Sequence, residues 1–326
     1  MSERKIFFVF PGQGSQYKGM GSDLVAEFGV ARELYARASD VVGYDIAKLS
    51  FEDPAGELNL TRFTQPALLT HELACHAVFA HLTGGAVHPS LAAGHSLGEY
   101  SALVAGGALQ FEDALALVAQ RGRLMSEYGR GSMLATTLDL QTATELAEKH
   151  YCAIAGANLP DQTVIAGEDA DVDTLGEELA QTHPTKRGIR LNTEGAFHTY
   201  LMVAAAEKFR EALRGTHFHN LQVDVLSNYS GRRHLNEQEA IRSRLFFQLF
   251  HPVRWVDCMR AAIEAGVDTI VEFGGGIGKG DTPDQKRPNL ESIVKKSLKW
   301  REHEAQYLPA IHVAGIRAAA VQLSSR

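Results

Sequence analysis

The sequence lacks the features that mark several large classes of protein. Its 326 residues include only three cysteines, which are too far apart for a disulfide framework or a metal-ligand cluster. The formal net charge is -7, so there is no basic excess of the kind that binds nucleic acid or an anionic membrane. No uncharged stretch is long enough to span a membrane, and the first apolar run is too short for a signal peptide. We therefore expect a cytoplasmic protein with no metal, no nucleic-acid partner and no membrane partner.

Apolar residues, in contrast, are plentiful. Hydrophobic residues make up 45% of the chain, which suggests one large domain or a domain with an insertion. Strand-like and helix-like segments alternate, and this pattern favours an α/β fold. The strands of the main body are predicted at residues 6–10, 90–93, 223–227 and 269–273. Its helices are predicted at residues 65–81, 99–105, 111–125 and 242–250.

A different order of elements begins near Gly131. The pattern predicts a strand, a helix, two strands, a helix and a strand, at residues 132–136, 142–150, 152–157, 163–166, 171–181 and 186–191. This βαββαβ order is that of the ferredoxin-like unit. We therefore predict a small ferredoxin-like subdomain at residues 130–195, inserted into a large subdomain formed by residues 1–129 and 196–276.

The segment after the large subdomain carries weaker signals. A glycine-rich run at residues 274–280 fails the P-loop pattern, because Phe273 and Gly280 stand where that pattern requires glycine and serine or threonine. We expect a flexible loop there, followed by a mobile polar stretch at residues 281–288. Residues 277–326 are predicted to form a C-terminal tail that is partly helical, with an amphipathic helix at 290–300.

One pentapeptide points to chemistry: Gly94-His95-Ser96-Leu97-Gly98. A Gly-x-Ser-x-Gly pattern between a strand and a helix puts the serine on a tight turn. The two glycines remove side chains where the strand and the helix nearly collide. The Ser96 hydroxyl would project above the sheet, with a helix N-terminus beneath it to stabilise negative charge. This context favours a nucleophile over a chance match of the pattern.

Other residues could complete such a site. A serine nucleophile needs a base, and His198 lies at the junction after the insertion, where clefts form. The guanidinium of Arg121 fits a carboxylate at two points, and a buried arginine requires an anion. Backbone N–H groups of Leu97 and of the glycine-rich turn at residues 10–16 could face an oxyanion. From the residues alone, a structural histidine, a surface arginine and an ordinary turn remain open alternatives.

Together these segments resemble the malonyl-CoA:acyl-carrier-protein transacylases and the acyltransferase domains of polyketide and fatty-acid synthases. The resemblance covers the chain from about Ile6 to Gly275, with the motifs in the family's order. The matching residues lie at 10–16, 64–67, 94–100, 121–125, 157–158, 196–198, 201–202, 248 and 252–255. The resemblance implies an α/β-hydrolase-like body with an inserted ferredoxin-like subdomain, in agreement with the segmentation above.

The resemblance also implies catalytic roles. Ser96 would be the acyl-accepting nucleophile and His198 the general base. The backbone carbonyl of Gln248, rather than an acid, would orient the imidazole. Backbone N–H groups of Gln13 and Leu97 would form the oxyanion hole. The residues expected to support the site or to set its specificity are Asn158, Phe197, Gln65 and Met125.

Substrate selectivity is expected to come from a few side chains. Arg121 would bind the free carboxylate of a malonyl group. Phe197 would fill the space that an α-methyl group needs, since in this family phenylalanine before the catalytic histidine goes with malonyl and serine with methylmalonyl. Leu97 also agrees with malonyl. Gly195 departs from the pattern, because many malonyl enzymes carry histidine there.

The implied function is transfer of a malonyl group from coenzyme A to the phosphopantetheine thiol of an acyl carrier protein, through an acyl-serine, in polyketide or fatty-acid biosynthesis. The coenzyme A thioester would be a substrate, so no cofactor is expected. The main alternative is a proofreading acyl hydrolase of the same fold that acts on acyl carrier proteins. Such enzymes remove neutral acyl groups, so Arg121 argues for transfer. A second alternative is a non-catalytic carrier-binding module, against which the intact Ser96 and His198 argue.

Overall fold

Two β-sheets and their flanking helices organise the protein, whose computed structural model describes residues 4–324. Within this range the strands, numbered along the chain, are β1 (Ile6–Phe10), β2 (Leu91–Gly94), β3 (Ser132–Thr136), β4 (Ala153–Leu159), β5 (Gln162–Gly167), β6 (Gly188–Arg190), β7 (Asp224–Ser227), β8 (Arg232–Arg233), β9 (Thr269–Phe273) and β10 (Gln306–Ala310). The α-helices are α1 (Ser22–Glu27), α2 (Gly29–Val42), α3 (Ile46–Glu52), α4 (Thr61–Leu82), α5 (Gly98–Ala105), α6 (Phe111–Glu127), α7 (Leu140–Lys149), α8 (Asp169–Thr182), α9 (Val203–Gly215), α10 (Gln238–Gln248), α11 (Trp255–Glu264), α12 (Glu291–Trp300) and α13 (Val313–Ser324). The chain is thus a mixed α/β protein, as the alternation of segments predicts.

The larger sheet has the strand order β10-β9-β1-β2-β7-β8. Its strands are parallel except β8, which runs antiparallel to β7. Every residue of β1 is buried, as expected for a parallel strand covered on both faces. Phe8 and Phe10 enter one hydrophobic core, and Phe7 and Val9 enter another on the opposite face. The continuous apolar run of β1 therefore reflects its position inside the sheet.

The smaller sheet has the order β4-β5-β3-β6, with every neighbouring pair antiparallel. Along the chain its elements follow the order β3, α7, β4, β5, α8, β6, which is the predicted βαββαβ order. Leu146 of α7 and Leu175 of α8 pack with Ile165 of β5 in one hydrophobic core. The insertion therefore has a core of its own.

Backbone hydrogen bonds join the two sheets. Ala157 in β4 donates from its backbone N–H to the carbonyl of Val253 at 2.9 Å, and Val253 donates to the carbonyl of Ala155 at 3.0 Å. Val253 precedes α11, which belongs to the larger body. The contact fixes the position of β4 beside the carboxyl ends of the parallel strands. A crevice lies between the larger body and the inserted part.

Several helices of the body differ from the predicted ones. α4 begins at Thr61 rather than near residue 65, and α10 spans Gln238–Gln248 rather than 242–250. α4 is buried on nearly all sides, so no polar face marks where it begins. α1 and α3 are only 6 and 7 residues long, too short to show helical periodicity, and were not predicted. The longer helices α2, α9 and α11 were not predicted either.

The C-terminal segment is part of the body, which corrects the prediction of a tail at residues 277–326. β10 pairs in parallel with β9 at the edge of the larger sheet. α12 and α13 bury Val294 and Ile316 in the two cores that flank this sheet. β10 is half exposed and contains Pro309, so its sequence carries no clear strand pattern. The large subdomain therefore extends through the described part of this segment.

The glycine-rich run at residues 274–280 is packed at its start and exposed at residues 278–279. A β-carbon on Gly275 would lie 2.6 Å from the Ser15 hydroxyl oxygen, and this glycine has a φ of 69°. Ile277 and Arg287 exchange backbone hydrogen bonds across the following stretch. Close packing therefore requires glycine at position 275, whereas a β-carbon on Gly278 would meet nothing within 4 Å. Among residues 4–324, no helix combines the length and the apolar character that crossing a membrane requires.

Candidate active site

The turn between β2 and α5 holds Ser96 in a strained backbone conformation, with its side chain partly buried. A β-carbon on Gly94 would lie 1.8 Å from the carbonyl carbon of Gly98, and one on Gly98 would lie 2.3 Å from the Phe10 carbonyl oxygen. Only glycine fits either position. Ser96 itself has a φ of 53°, in the left-handed region that non-glycine residues seldom adopt. The nucleophile-turn geometry expected from the sequence is therefore present.

Ser96, His198 and Gln248 form a chain of hydrogen bonds. The Ser96 hydroxyl oxygen lies 2.7 Å from Nε2 of His198. Nδ1 of His198 lies 2.7 Å from the backbone carbonyl oxygen of Gln248. A carbonyl only accepts, so Nδ1 donates its hydrogen, and Nε2 is left free to accept the serine proton. This arrangement allows His198 to act as a base toward Ser96.

The His198 ring is uncharged in its buried setting. Burial, the nearby positive charge of Arg121 and the neighbouring His95 lower the pKa of His198, while the hydrogen bond to Gln248 opposes them. The result is a pKa lowered from 6.5 to about 3. The imidazole is therefore in the form that can take up a proton.

Arg121 is fully buried on α6, and its guanidinium points at the Ser96 hydroxyl. One terminal nitrogen, Nη2, donates to the Ser96 hydroxyl at 3.0 Å and to the Gln248 side-chain oxygen at 3.1 Å. The other, Nη1, donates to the Gln65 side-chain oxygen at 2.8 Å. Burial lowers the pKa of Arg121, and the ring of Tyr100 lies 5.6 Å from its guanidinium carbon. The nearby buried carboxylate of Glu99 opposes this lowering of the pKa but pairs with His234 rather than with Arg121, so the guanidinium nitrogens can still bind an anion.

These groups line a cavity of about 330 Å³ in the crevice between the two sheets. The backbone N–H groups of Gln13 and Leu97 donate to no other residue in the described range, and both residues line the cavity. Of the residues to which the sequence analysis assigned a role in the site, Gln248 alone is absent from the cavity wall, which it reaches through His198 and Arg121. The predicted residues in the lining are Gln13, Gln65, Ser96, Leu97, Arg121, Met125, Asn158, Phe197 and His198.

The side chains that were expected to support the site make hydrogen bonds around Ser96. The Asn158 side-chain oxygen accepts from Nε2 of His95 at 2.9 Å, directly beside Ser96. Gln65 uses its oxygen for Arg121 and donates from its amide to the Met125 sulfur at 3.3 Å. These contacts fix side chains from both parts of the chain around one cavity.

Gly195 has a packing reason for its departure from the family pattern. A β-carbon there would lie 2.8 Å from the backbone nitrogen of Arg130 and from the α-carbon of Gly129. Two chain segments approach too closely at this point for a larger residue. The close approach of these backbone segments therefore requires glycine at position 195.

Asn228 is a residue next to Ser96 that the sequence analysis missed. It follows β7, which lies beside β2 in the sheet, so both strands deliver their next residues to the same edge. The Asn228 side chain accepts from the Ser96 backbone N–H at 2.6 Å and donates to the Gly94 carbonyl at 2.8 Å. Its position after a strand of the body was the available signal.

The sequence as a whole matches a family with this chemistry. Residues 7–274 match the family described as acyl transferase domain. The chain belongs to that family. The acyltransferase is 40% identical over 281 residues to the malonyl CoA-acyl carrier protein transacylase of Bacillus subtilis (strain 168), which covers 83% of this chain and 87% of the relative.

Two further comparisons extend this likeness. The polyketide biosynthesis malonyl CoA-acyl carrier protein transacylase BaeC of Bacillus velezensis is 36% identical over 281 residues, covering 83% of this chain and 93% of the relative. The crystal structure of the malonyl CoA-acyl carrier protein transacylase of Clostridium perfringens superposes with a TM-score of 0.87 at 33% identity, and the match covers 98% of each chain. The acyltransferase therefore shares its whole mixed α/β structure with enzymes of that name.

We expect the His198 imidazole of the acyltransferase to stay uncharged well below neutral pH. Burial and Arg121 lower its pKa from 6.5 to about 3, so acidification through pH 6 should leave the ring neutral. NMR titration of the histidine ring signals, with His198 assigned by a His198→Gln variant, measures this directly. A ring that takes up its proton between about pH 6 and 7 would contradict the burial argument.

Proposed function

We propose that this acyltransferase moves a malonyl group from coenzyme A to the phosphopantetheine thiol of an acyl carrier protein through an acyl-serine on Ser96. The observation that carries the proposal is the buried guanidinium of Arg121, whose Nη2 lies 3.0 Å from the nucleophilic oxygen. A malonyl group bound as an ester to Ser96 carries a free carboxylate a few bonds from that oxygen. The guanidinium therefore lies within reach of this carboxylate.

In the first step, the Ser96 hydroxyl oxygen attacks the thioester carbonyl carbon of malonyl-CoA. Nε2 of His198 takes the serine proton, and the carbonyl oxygen becomes an oxyanion. The unengaged backbone N–H groups of Gln13 and Leu97 would donate to that oxyanion. The carbon–sulfur bond then breaks, and the imidazolium returns its proton to the departing coenzyme A sulfur.

In the second step, the reaction runs in the opposite sense with a different thiol. His198 takes the proton of the carrier protein's phosphopantetheine thiol, and the sulfur attacks the malonyl-serine ester. The intermediate collapses, the bond between the carbonyl carbon and the Ser96 oxygen breaks, and Ser96 regains its proton from His198. Since a thioester is both used and formed, the exchange needs no cofactor.

Arg121 would hold the acyl group in one pose during both steps. In the free protein its donors contact only neutral oxygens, those of Gln65, Gln248 and Ser96. A carboxylate is a stronger acceptor than an amide or a hydroxyl, and two parallel hydrogen bonds would fix its orientation. A fixed acyl group presents its carbonyl to the incoming thiol and leaves less room for water.

Phe197 would select malonyl against its α-methyl homologue. Its side chain is 5% exposed and lines the cavity beside His198. A ring at this position occupies the space that an additional methyl group would need. The names of the relatives, one of which belongs to polyketide biosynthesis, support a role in polyketide or fatty-acid biosynthesis.

We also assign the two parts of the fold to known types. The body, at residues 4–129 and 196–324, is proposed to be α/β-hydrolase-like, on the basis of its parallel sheet and its serine turn after β2. Residues 130–195 are proposed to be ferredoxin-like, on the basis of the βαββαβ order and the antiparallel sheet β4-β5-β3-β6. The three free, buried cysteines support the cytoplasm as the compartment.

We expect Arg121→Ala to abolish most malonyl transfer while sparing acetyl transfer. Losing a buried, two-point contact to a carboxylate should lower kcat/KM for malonyl-CoA about 100-fold, whereas an acetyl group offers no carboxylate to lose. The measurement is loading of a phosphopantetheinylated carrier protein, followed by mass spectrometry. Arg123→Ala is the matched control, because Arg123 lies two residues further along α6 but is exposed and paired with Glu127.

Two outcomes of that assay would count against the proposal. Equal losses with malonyl-CoA and acetyl-CoA would remove the assigned role of Arg121. Release of free malonate while the carrier stays unloaded would indicate the acyl hydrolase instead of the transferase.

We expect Phe197→Ser to admit methylmalonyl-CoA. Removing the ring opens space for one methyl group, which should raise the ratio of methylmalonyl to malonyl transfer about tenfold. Competition between the two thioesters in the loading assay measures this ratio. Phe197→Leu retains most of the bulk and is the control. An unchanged ratio in a folded Phe197→Ser protein would mean that the ring only packs the cavity wall.

A further inference from the structure

Behind the serine turn lies a buried carboxylate that the reaction described above does not use. Glu99 stands in the first turn of α5, three residues after Ser96, and is fully buried. Three N–H donors converge on it. Nε2 of His234 lies 2.8 Å from one carboxylate oxygen, and the other oxygen accepts from the Asn228 backbone N–H at 2.9 Å and from the Gln248 side-chain amide at 2.8 Å.

The Asn228 branch leads to the nucleophile. With its backbone N–H held by Glu99, Asn228 turns its side chain to Ser96 and to Gly94. The hydrogen bond to the Ser96 N–H supports a backbone with a φ of 53°, which costs energy unless neighbouring groups fix it. The position of the Ser96 oxygen therefore depends on where Glu99 holds Asn228.

The Gln248 branch leads to the base and to the guanidinium. The amide nitrogen of Gln248 donates to Glu99 and, at 2.9 Å, to the Ser96 carbonyl. Its side-chain oxygen accepts from Arg121, and its backbone carbonyl accepts from His198. One amide side chain thus joins Glu99 to three groups of the site.

His234 closes the network on the side away from the cavity. It follows β8, its side chain is fully buried, and it reaches Glu99 through Nε2. Its other ring nitrogen, Nδ1, is buried without a hydrogen-bond partner among residues 4–324. A buried histidine that makes its one side-chain hydrogen bond to a buried carboxylate is suited to fixing that carboxylate.

We propose that Glu99, held by His234, is a positioning residue that fixes Ser96, His198 and Arg121 relative to one another through Asn228 and Gln248. Neither Glu99 nor His234 lines the cavity, so both act through other residues. A carboxylate is suited to this position because it offers acceptors on both oxygens. An amide offers one oxygen and presents N–H groups on its other side, so Glu99→Gln cannot satisfy the same three donors. The inference rests on the proposed function only in the roles of the three groups that it positions.

The test measures how fast Ser96 reacts with a fluorophosphonate, a small serine-directed reagent without a carboxylate. Glu99→Gln should lower this rate at least tenfold, because a displacement of about 1 Å between nucleophile and base can cost up to 100-fold. The matched control is Glu72→Gln. Glu72 is equally buried, but it accepts one hydrogen bond, from Ser101, and burial raises its pKa, which favours the uncharged form. The control should react at the wild-type rate.

A pair of His234 variants separates positioning from general stability. His234→Gln retains an N–H donor for Glu99, so its rate of reaction with the fluorophosphonate should stay within about threefold of wild type. His234→Leu removes the donor, so its rate should be lowered as much as that of Glu99→Gln. Thermal melting of each variant reports its folding. If Glu99→Gln or His234→Leu melts earlier but its folded fraction reacts at the wild-type rate, the residues are only structural and the proposal fails.

The rate of reaction with the fluorophosphonate does not depend on which acyl group the enzyme transfers. Wild-type protein that reacts with the fluorophosphonate but does not transfer malonyl would overturn the proposed function alone. Wild-type transfer together with an unchanged rate in Glu99→Gln would overturn the positioning role alone.

Discussion

A positive charge buried beside a serine hydroxyl is the constraint on which the rest of the site depends. Moving a guanidinium out of water costs several kcal/mol unless other groups replace its hydration. Here Gln65, Gln248 and Ser96 supply neutral oxygens, and the ring of Tyr100 lies nearby. These contacts hold the guanidinium in place, but none of them is made to an anion. In our account, the carboxylate of the acyl group is the anion that binds there.

The same charge links substrate binding to the base. Burial and Arg121 both hold the pKa of His198 far below its ordinary value. A carboxylate bound at Arg121 would offset the positive charge near the imidazole and make it a better base at the moment of attack. An acyl group without a carboxylate would bring no such negative charge to the site. Selectivity would thus act on the chemical step as well as on binding.

Short sequence motifs predicted those parts of the site that are formed by residues close together in the chain. The serine turn follows from Gly94 and Gly98, because only glycine fits where β2, α5 and β1 approach each other. The contact between Ser96 and His198 joins residues 102 positions apart, and no periodicity encodes such a contact. The position of His198 after the insertion suggested the pairing, and the family resemblance assigned it.

Other parts carried too weak a signal. Asn228 and His234 look like ordinary polar residues in sequence, since their importance arises from a network formed only in the folded chain. β10 was missed because it is short, half exposed and interrupted by Pro309. The predicted tail was wrong for that reason.

The most direct measurement is the mass of the peptide that contains Ser96 after brief exposure of the protein to malonyl-CoA. The account predicts one malonyl group on Ser96, which disappears when a phosphopantetheinylated carrier protein is added and reappears on the carrier in equal amount. A protein that loads the carrier without ever modifying Ser96 would contradict it.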